Sequence, residues 1–285
     1  MGMKRFFKTI APIAGLAMSA ALAGCDGNTS FRMNGEEGVP LSELEMSGEA
    51  PTSLAIAGPD LVKITEGDQL AITVDGARED ADSLRFVLED GQLGIMRADG
   101  WKDGGKVTVN VTMPAPREIA IGASGSVETS GMADDAKIAI GGSGSVDVAR
   151  LDSSRLDIAI GGSGTVRAAG RADTLKLAVG GSGDLVAPDL MVENANISVG
   201  GSGNAEFSSD GRVEASIAGA GDIVVHGSAK CELSSFGSGS LTCKPRAGAS
   251  PARAPDAPAN PDAPVTPDAA QAPDTPAAPD APAAE

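Results

Sequence analysis

Ile138-Ala139-Ile140-Gly141-Gly142-Ser143-Gly144-Ser145-Val146-Asp147-Val148 is a segment that the chain repeats, nearly unchanged in pattern, at Ile158 to Ala168, Leu177 to Ala187 and Ile197 to Phe207. The glycine closing each turn recurs at Gly125, Gly144, Gly164, Gly183, Gly203, Gly221 and Gly239, with steps of 19, 20, 19, 20, 18 and 18 residues. A fixed period of this length marks a repeat architecture, in which each unit buries its apolar face only against its neighbours.

Within each copy the apolar residues alternate. Two residues after the corner glycine stand Val127, Val146, Val166, Leu185, Ala205, Ile223 and Leu241; six before it stand Ile119, Ile138, Ile158, Leu177, Ile197, Ala215 and Leu233. Period-two alternation is the signature of a strand with one buried face, so each copy reads as two short strands joined by a glycine-rich corner. Alternation around a glycine corner also fits an antiparallel hairpin. The near-identity of the four Gly-Gly-Ser-Gly copies favours corners stacked on one another, with serines in a hydrogen-bonded ladder.

The flanking sequence adds specific features: Leu61-Val62-Lys63-Ile64-Thr65-Glu66-Gly67-Asp68, then Gly91-Gln92-Leu93-Gly94-Ile95, then Lys106-Val107-Thr108-Val109-Asn110-Val111-Thr112-Met113-Pro114. With these, the stretch from about Leu54 to Cys243 resembles the bacterial domain of unknown function called the autotransporter adhesin head, or GIN, domain. The resemblance implies an all-β fold, a right-handed parallel β-helix of about seven short coils with an N-terminal β-strand lead. It implies no defined ligand. The acid common at the family's corners stands here at Asp184 and Asp222, but is replaced at Ser126, Ser145, Thr165, Asn204 and Ser240.

Both ends differ in composition from this body. Lys4, Arg5 and Lys8 precede an apolar run from Ile10 to Leu22, which is too short to span a bilayer. Leu22-Ala23-Gly24-Cys25 resembles the lipobox of bacterial lipoproteins, which implies cleavage after residue 24 and lipidation of Cys25. Two or more acyl chains would hold the protein stably on a membrane. The expected location is extracytoplasmic, anchored to the cell membrane and facing the periplasm or the cell surface. From about residue 245 to 285 the chain is rich in Pro, Ala and Asp, with Pro-Asp recurring every six residues from Pro255-Asp256 to Pro279-Asp280. Such a segment cannot bury a core and reads as an extended, disordered acidic tail. The expected organisation is a signal peptide (1–24), a linker (25–51), the β-helix domain (52–244) and the tail (245–285).

The chain has a net charge of -17, which disfavours nucleic acid as a partner. His226 is the only histidine, which argues against a multi-histidine metal site and against Ser-His catalysis. It falls outside the buried register and reads as a solvated side chain. Calcium binding of the kind found in Gly-Gly-x-Gly-x-Asp solenoids is not expected, because Val146, Val166, Leu185 and Ala205 occupy the ligand position. No cofactor or metal is expected.

Two function classes remain. The first is a non-catalytic cell-envelope lipoprotein with an adhesin-like, scaffolding or binding domain, whose partner is an envelope polymer or protein. The second is a polysaccharide-active enzyme on the same scaffold. It would need paired acids drawn from Asp147, Asp152, Asp157, Glu193, Glu206 and Asp222.

Cys231 and Cys243 are equidistant from Gly237, and their register places both inward across the last coil. In an oxidising compartment they are expected to form a disulfide that pins the solenoid's end. One stripe of small residues stands five before each corner glycine, at Ala120, Ala139, Ala159, Ala178, Ser198, Ser216 and Ser234. It reads either as a docking face, for the chain's own N-terminal strands or for a partner, or as a steric adaptation to a crowded corner.

Overall fold

Stacking of the repeats begins with their alternating valines and isoleucines, each held over its counterpart in the neighbouring coil. In the computed structural model, which describes residues 38–98, 101 and 104–245, Val146 pairs with Val127 on one side and Val166 on the other, and Leu185 follows. Ile138, Ile158, Leu177 and Ile197 form a second column in the same way. These residues are all 2% exposed or less. Burying each such side chain stabilises the fold by about 1.5–3 kcal/mol relative to leaving it in water.

The lead contributes strands β1 (Ser53–Ala57), β2 (Leu61–Glu66) and β3 (Ala71–Asp75), a short helix α1 (Arg78–Asp82), then β4 (Leu84–Glu89), β5 (Gln92–Arg97) and β6 (Thr108–Met113). The repeats begin with β7 (Glu118–Ile121), β8 (Ser126–Thr129) and β9 (Asp135–Ile140). They continue through the long, bent strands β10 (Ser145–Ile160), β11 (Thr165–Val179), β12 (Asp184–Val199) and β13 (Ala205–Gly219). The last coils are formed by β14 (Asp222–His226), β15 (Lys230–Gly237) and β16 (Ser240–Lys244). Together these strands form a β-solenoid of about seven turns with parallel strands.

Each long strand turns a further corner that two-strand alternation does not reveal. In β10 burial alternates at Val146 and Val148, at Leu151 and Ser153, and at Leu156, Ile158 and Ile160. Pairs of exposed residues, Ala149-Arg150 and Ser154-Arg155, separate the three runs. The pairing with β11 shifts register between Val148 and Leu151. A coil therefore has three sides rather than two. The third side is short and chemically irregular, with Gly170 and Ala172 in one coil where Leu190 and Val192 stand in the next.

The lead does more than start and cap the stack. β1 lies between β5 and β7, and β2 lies between β6 and β8, all in parallel. The coil made by β5 and β6 thus sits outside the coil made by β1 and β2, although it comes later in the chain. Antiparallel strands β4 and β3 then cover β5 and β6 and close that end.

A buried ion pair locks this crossed order. Asp60 is 1% exposed and Arg97 8%. Arg97 Nε donates to Asp60 Oδ2 at 2.8 Å, its Nη2 donates to Oδ1, and the Val107 backbone N–H donates to Oδ1 at 3.0 Å. The guanidinium also donates to the carbonyls of Asp80 (2.7 Å) and Gly105 (3.2 Å) and lies 4.7 Å from the centroid of a Trp101 ring. One carboxylate in the β1–β2 corner thereby gathers α1, the end of β5 and the approach to β6. Removing one partner of such a pair strands a buried charge, at a cost of about 3–5 kcal/mol.

The glycine corners stack through backbone contact. The N–H groups of Gly161, Ser163 and Thr165 donate to the carbonyls of Ile140, Gly142 and Gly144 at 2.8–3.0 Å. The corner ladder is therefore made by backbone amides rather than by serine hydroxyls. A hydroxyl-to-hydroxyl bond occurs just past the corner, from Ser145 Oγ to Ser126 Oγ at 3.0 Å.

A Cβ on Gly162 would lie 2.2 Å from the Gly142 carbonyl oxygen, whereas one on Gly161 would meet nothing nearer than 3.9 Å. Thermal or denaturant unfolding should find Gly162→Ala destabilised by about 2 kcal/mol or more, and Gly161→Ala within about 0.5 kcal/mol of the parent. Equal losses at the two positions would show that conformational entropy, not stacking distance, selects these glycines.

Candidate binding faces and the pinned end

The in-register pairing that builds the core also lines up the outward side chains. Ala120, Ala139, Ala159, Ala178, Ser198, Ser216 and Ser234 pair successively, and Ala55 and Gly94 continue the column below Ala120. On one side runs a column of mixed charge, with Lys137, Asp157, Lys176, Asn196, Glu214 and Glu232. On the other side stand Gly141, Gly161, Gly180 and Gly200.

The column is not uniformly exposed. Ala120 is 1% exposed and packs with Ala55, Val87 and Met96 in a small second apolar cluster, against which Ala139 is half-buried. At Ala120 the outward face is thus packed with residues of the chain's own N-terminal lead, Ala55, Val87 and Met96. Ala159, Ser198, Ser216 and Ser234 are exposed.

A second feature, which the repeats did not announce, is an open groove of about 590 Å³ on the side that carries β2, β8 and the starts of β10 to β12. Lys63 pairs with Glu128 at 3.1 Å and Arg167 with Asp147 at 3.6 Å, and Asp189 adds a further carboxylate to the lining. Beyond them lie Ala149, Ala169 and Pro188, with Val186 39% exposed. The groove exists because each coil bends just after its second buried residue. Its sequence signal is the small or proline residue at that bend, which is legible only once the third side is known.

Four of the six candidate acids are engaged with separate partners. Asp147 is held by Arg167, and Glu193 pairs with Arg171. Glu206 Oε1 lies 2.8 Å from His226 Nε2, so His226 is a half-buried, partnered side chain rather than a freely solvated one. Asp222 accepts from Ser240 Oγ at 2.6 Å, and its N–H donates to Asn204 Oδ1 at 3.1 Å. Asn204 in turn donates through both its side-chain and backbone nitrogens to Asp184 Oδ1 at 2.9 Å. Asp184, Asn204, Asp222 and Ser240 are therefore rungs of one polar ladder between coils. Asp134 plays the same part elsewhere: hydrogen bonds from the Ser154 hydroxyl and N–H hold its carboxyl below the ordinary aspartate value. Among the described residues no group of three or more His, Cys, Asp or Glu side chains is arranged to hold a metal ion.

At the far end Cys231 and Cys243 are joined by a disulfide, with their Cα atoms 6.8 Å apart. It links β15 to β16 across the last coil, where Cys231 and Leu241 pack partly on the core. Cys243, in register with the buried Val225, faces Cys231 across the coil yet is exposed, because no further coil lies above it among the described residues. Cys25 lies outside the described residues.

This geometry matches known proteins. Residues 50–229 match the family described as "Putative auto-transporter adhesin, head GIN domain". The chain belongs to that family. Among solved structures it is similar to a putative adhesin from Bacteroides fragilis, at 20% identity and a TM-score of 0.62, covering 69% of this chain and 93% of that one. It is also similar to a putative lipid binding protein from Parabacteroides distasonis, at 20% identity and a TM-score of 0.57, covering 68% and 93%. A putative adhesin from Parabacteroides merdae matches at 16% identity and a TM-score of 0.52, covering 68% and 92%. At these identities the likeness concerns the fold. No curated protein matches the chain.

Stability in a solenoid is approximately a sum over neighbouring units, so loss of the disulfide should act locally. Reduction, or Cys231→Ser with Cys243→Ser, should cost about 2–3 kcal/mol, as expected for a closed loop of roughly this size. Hydrogen exchange should speed up in β15 and β16 and stay unchanged in β10 and β11. A uniform change along the stack would contradict a local staple.

Proposed function

We propose that this protein is a non-catalytic, adhesin-like component of the cell envelope, anchored by lipid at Cys25, that holds an extended envelope polymer or protein along its groove. The observation that carries this reading is the groove itself, assembled from side chains of successive coils. Four of its charged side chains form two ion pairs, Asp189 stands beside them, and it exposes Val186, alanines and a proline to a ligand. Clefts of a few hundred Å³ with an apolar floor and a few placed polar groups are the usual form of a binding site. An open course across several coils suits a long ligand better than a small enclosed one.

The names of similar structures point the same way, since they are described as adhesins or as a lipid binding protein. The Leu22-Ala23-Gly24-Cys25 motif after an apolar run supports attachment through a lipid on Cys25. The distribution of acids supports the absence of catalysis: four of the six candidates are engaged with separate partners.

Mass spectrometry of the protein from membranes of its own host should find an acylated Cys25 at the mature N-terminus. An unmodified, uncleaved chain would remove the anchor and the location that rests on it. Co-sedimentation with insoluble envelope material tests the groove. Val186→Glu with Ala169→Arg should weaken binding by about tenfold or more, whereas Ala139→Glu with Ala159→Glu, on another side, should leave it intact. The reverse result would transfer the binding site to the small-residue stripe, and no sedimentation in any variant would refute the reading.

A further inference from the structure

We infer that the C-terminal end of the solenoid is a self-association surface on which a second copy of this chain stacks end to end. β15 pairs only with β13, and β16 only with β14, so one edge of each strand presents unpaired backbone donors and acceptors among the described residues. An open edge of this kind templates the addition of another strand. Here the edge is also apolar: Leu233 is 44% exposed and Phe236 83%, whereas Phe86 and Phe207 are buried. Solenoids ordinarily protect a terminal coil with a polar cap. The opposite end has its cap in antiparallel β3 and β4, and the bridge from Val39 to Phe86 occupies part of the outer edge of β4.

Three features of the sequence favour a second copy as the occupant. The segment that follows β16 has proline at every third residue from Pro255 to Pro267, and proline lacks the N–H that edge pairing needs. From Lys230 to Lys244 the charges are Lys230, Glu232 and Lys244, so the two terminal strands themselves add little repulsion between copies. β15 is also self-complementary when paired antiparallel with itself. With Leu233 opposite the partner's Leu233, the core-facing leucines meet, Glu232 faces Ser234 and Lys230 faces Phe236, which suits a cation over an aromatic ring. That register keeps inward and outward faces aligned and forms a two-fold, closed contact. The disulfide between β15 and β16 holds the edge in shape before association, which lowers the cost of ordering it. Because the described chain begins at the capped end, with Val39 on β4, the two chain entries would lie at opposite extremes of the pair.

This contact is separate from ligand binding in the groove. Sedimentation velocity of the whole chain in detergent, over a range of concentrations, should show a reversible monomer–dimer equilibrium. Phe236→Lys, at a site too exposed to unfold the chain, and Leu233→Asp should each raise the dimer dissociation constant by about tenfold or more with the disulfide intact. Ala159→Glu should not. With rising concentration, amides of β15 should gain protection from hydrogen exchange while those of β11 do not. A chain that stays monomeric, a dimer indifferent to both substitutions, or protection appearing at β11 would each overturn the inference.

Discussion

Everything in this molecule depends on one spacing, the distance at which the backbone of one coil lies on the backbone of the next. At Gly142, Gly162, Gly181 and Gly201 that distance leaves no room for a Cβ, and alternate amides reach the carbonyls of the coil below. Once the corners are held at strand spacing, the valines and isoleucines of successive coils must coincide in columns. The core follows from the ladder and does not need large side chains to fill it. This suits a chain of 285 residues in which aromatic residues are only 2% of the sequence.

The same coincidence acts on the outer surface, and this is where structure turns into function. Outward residues also stack in columns, so any short local pattern is multiplied into a long strip. The Ala/Ser column, the mixed-charge column beside it and the groove near Val186 all arise in this way. The corner carboxylates and amides bond to one another between coils, which gives them a structural role.

The two ends of the stack are built on different terms. At one end the chain spends about sixty residues on a crossed pair of coils, an antiparallel cover and a buried Asp60–Arg97 pair. At the other it stops, with a disulfide across the final coil and apolar side chains open to solvent. That asymmetry sets the likeness between repeats aside and gives the solenoid a direction, with chain entry at the capped end.

The sequence by itself determined the repeated unit and its buried residues, because these depend on local alternation and on glycine at a fixed period; the parallel solenoid rested on the near-identity of the corners and on the family resemblance, since alternation alone also fits a hairpin. It also placed Cys231 and Cys243 across one corner, since equal spacing from Gly237 is a local property. Only the tertiary structure decided the third side of each coil, where Gly170, Leu151 and Leu190 share a position that has no common chemistry. It likewise decided that the β5–β6 coil lies outside the β1–β2 coil, that Ala120 is covered, that His226 meets Glu206 and that a groove opens beside Val186. Each of these depends on which distant segments come to lie against each other, and that information is carried by packing between coils rather than by the period within them.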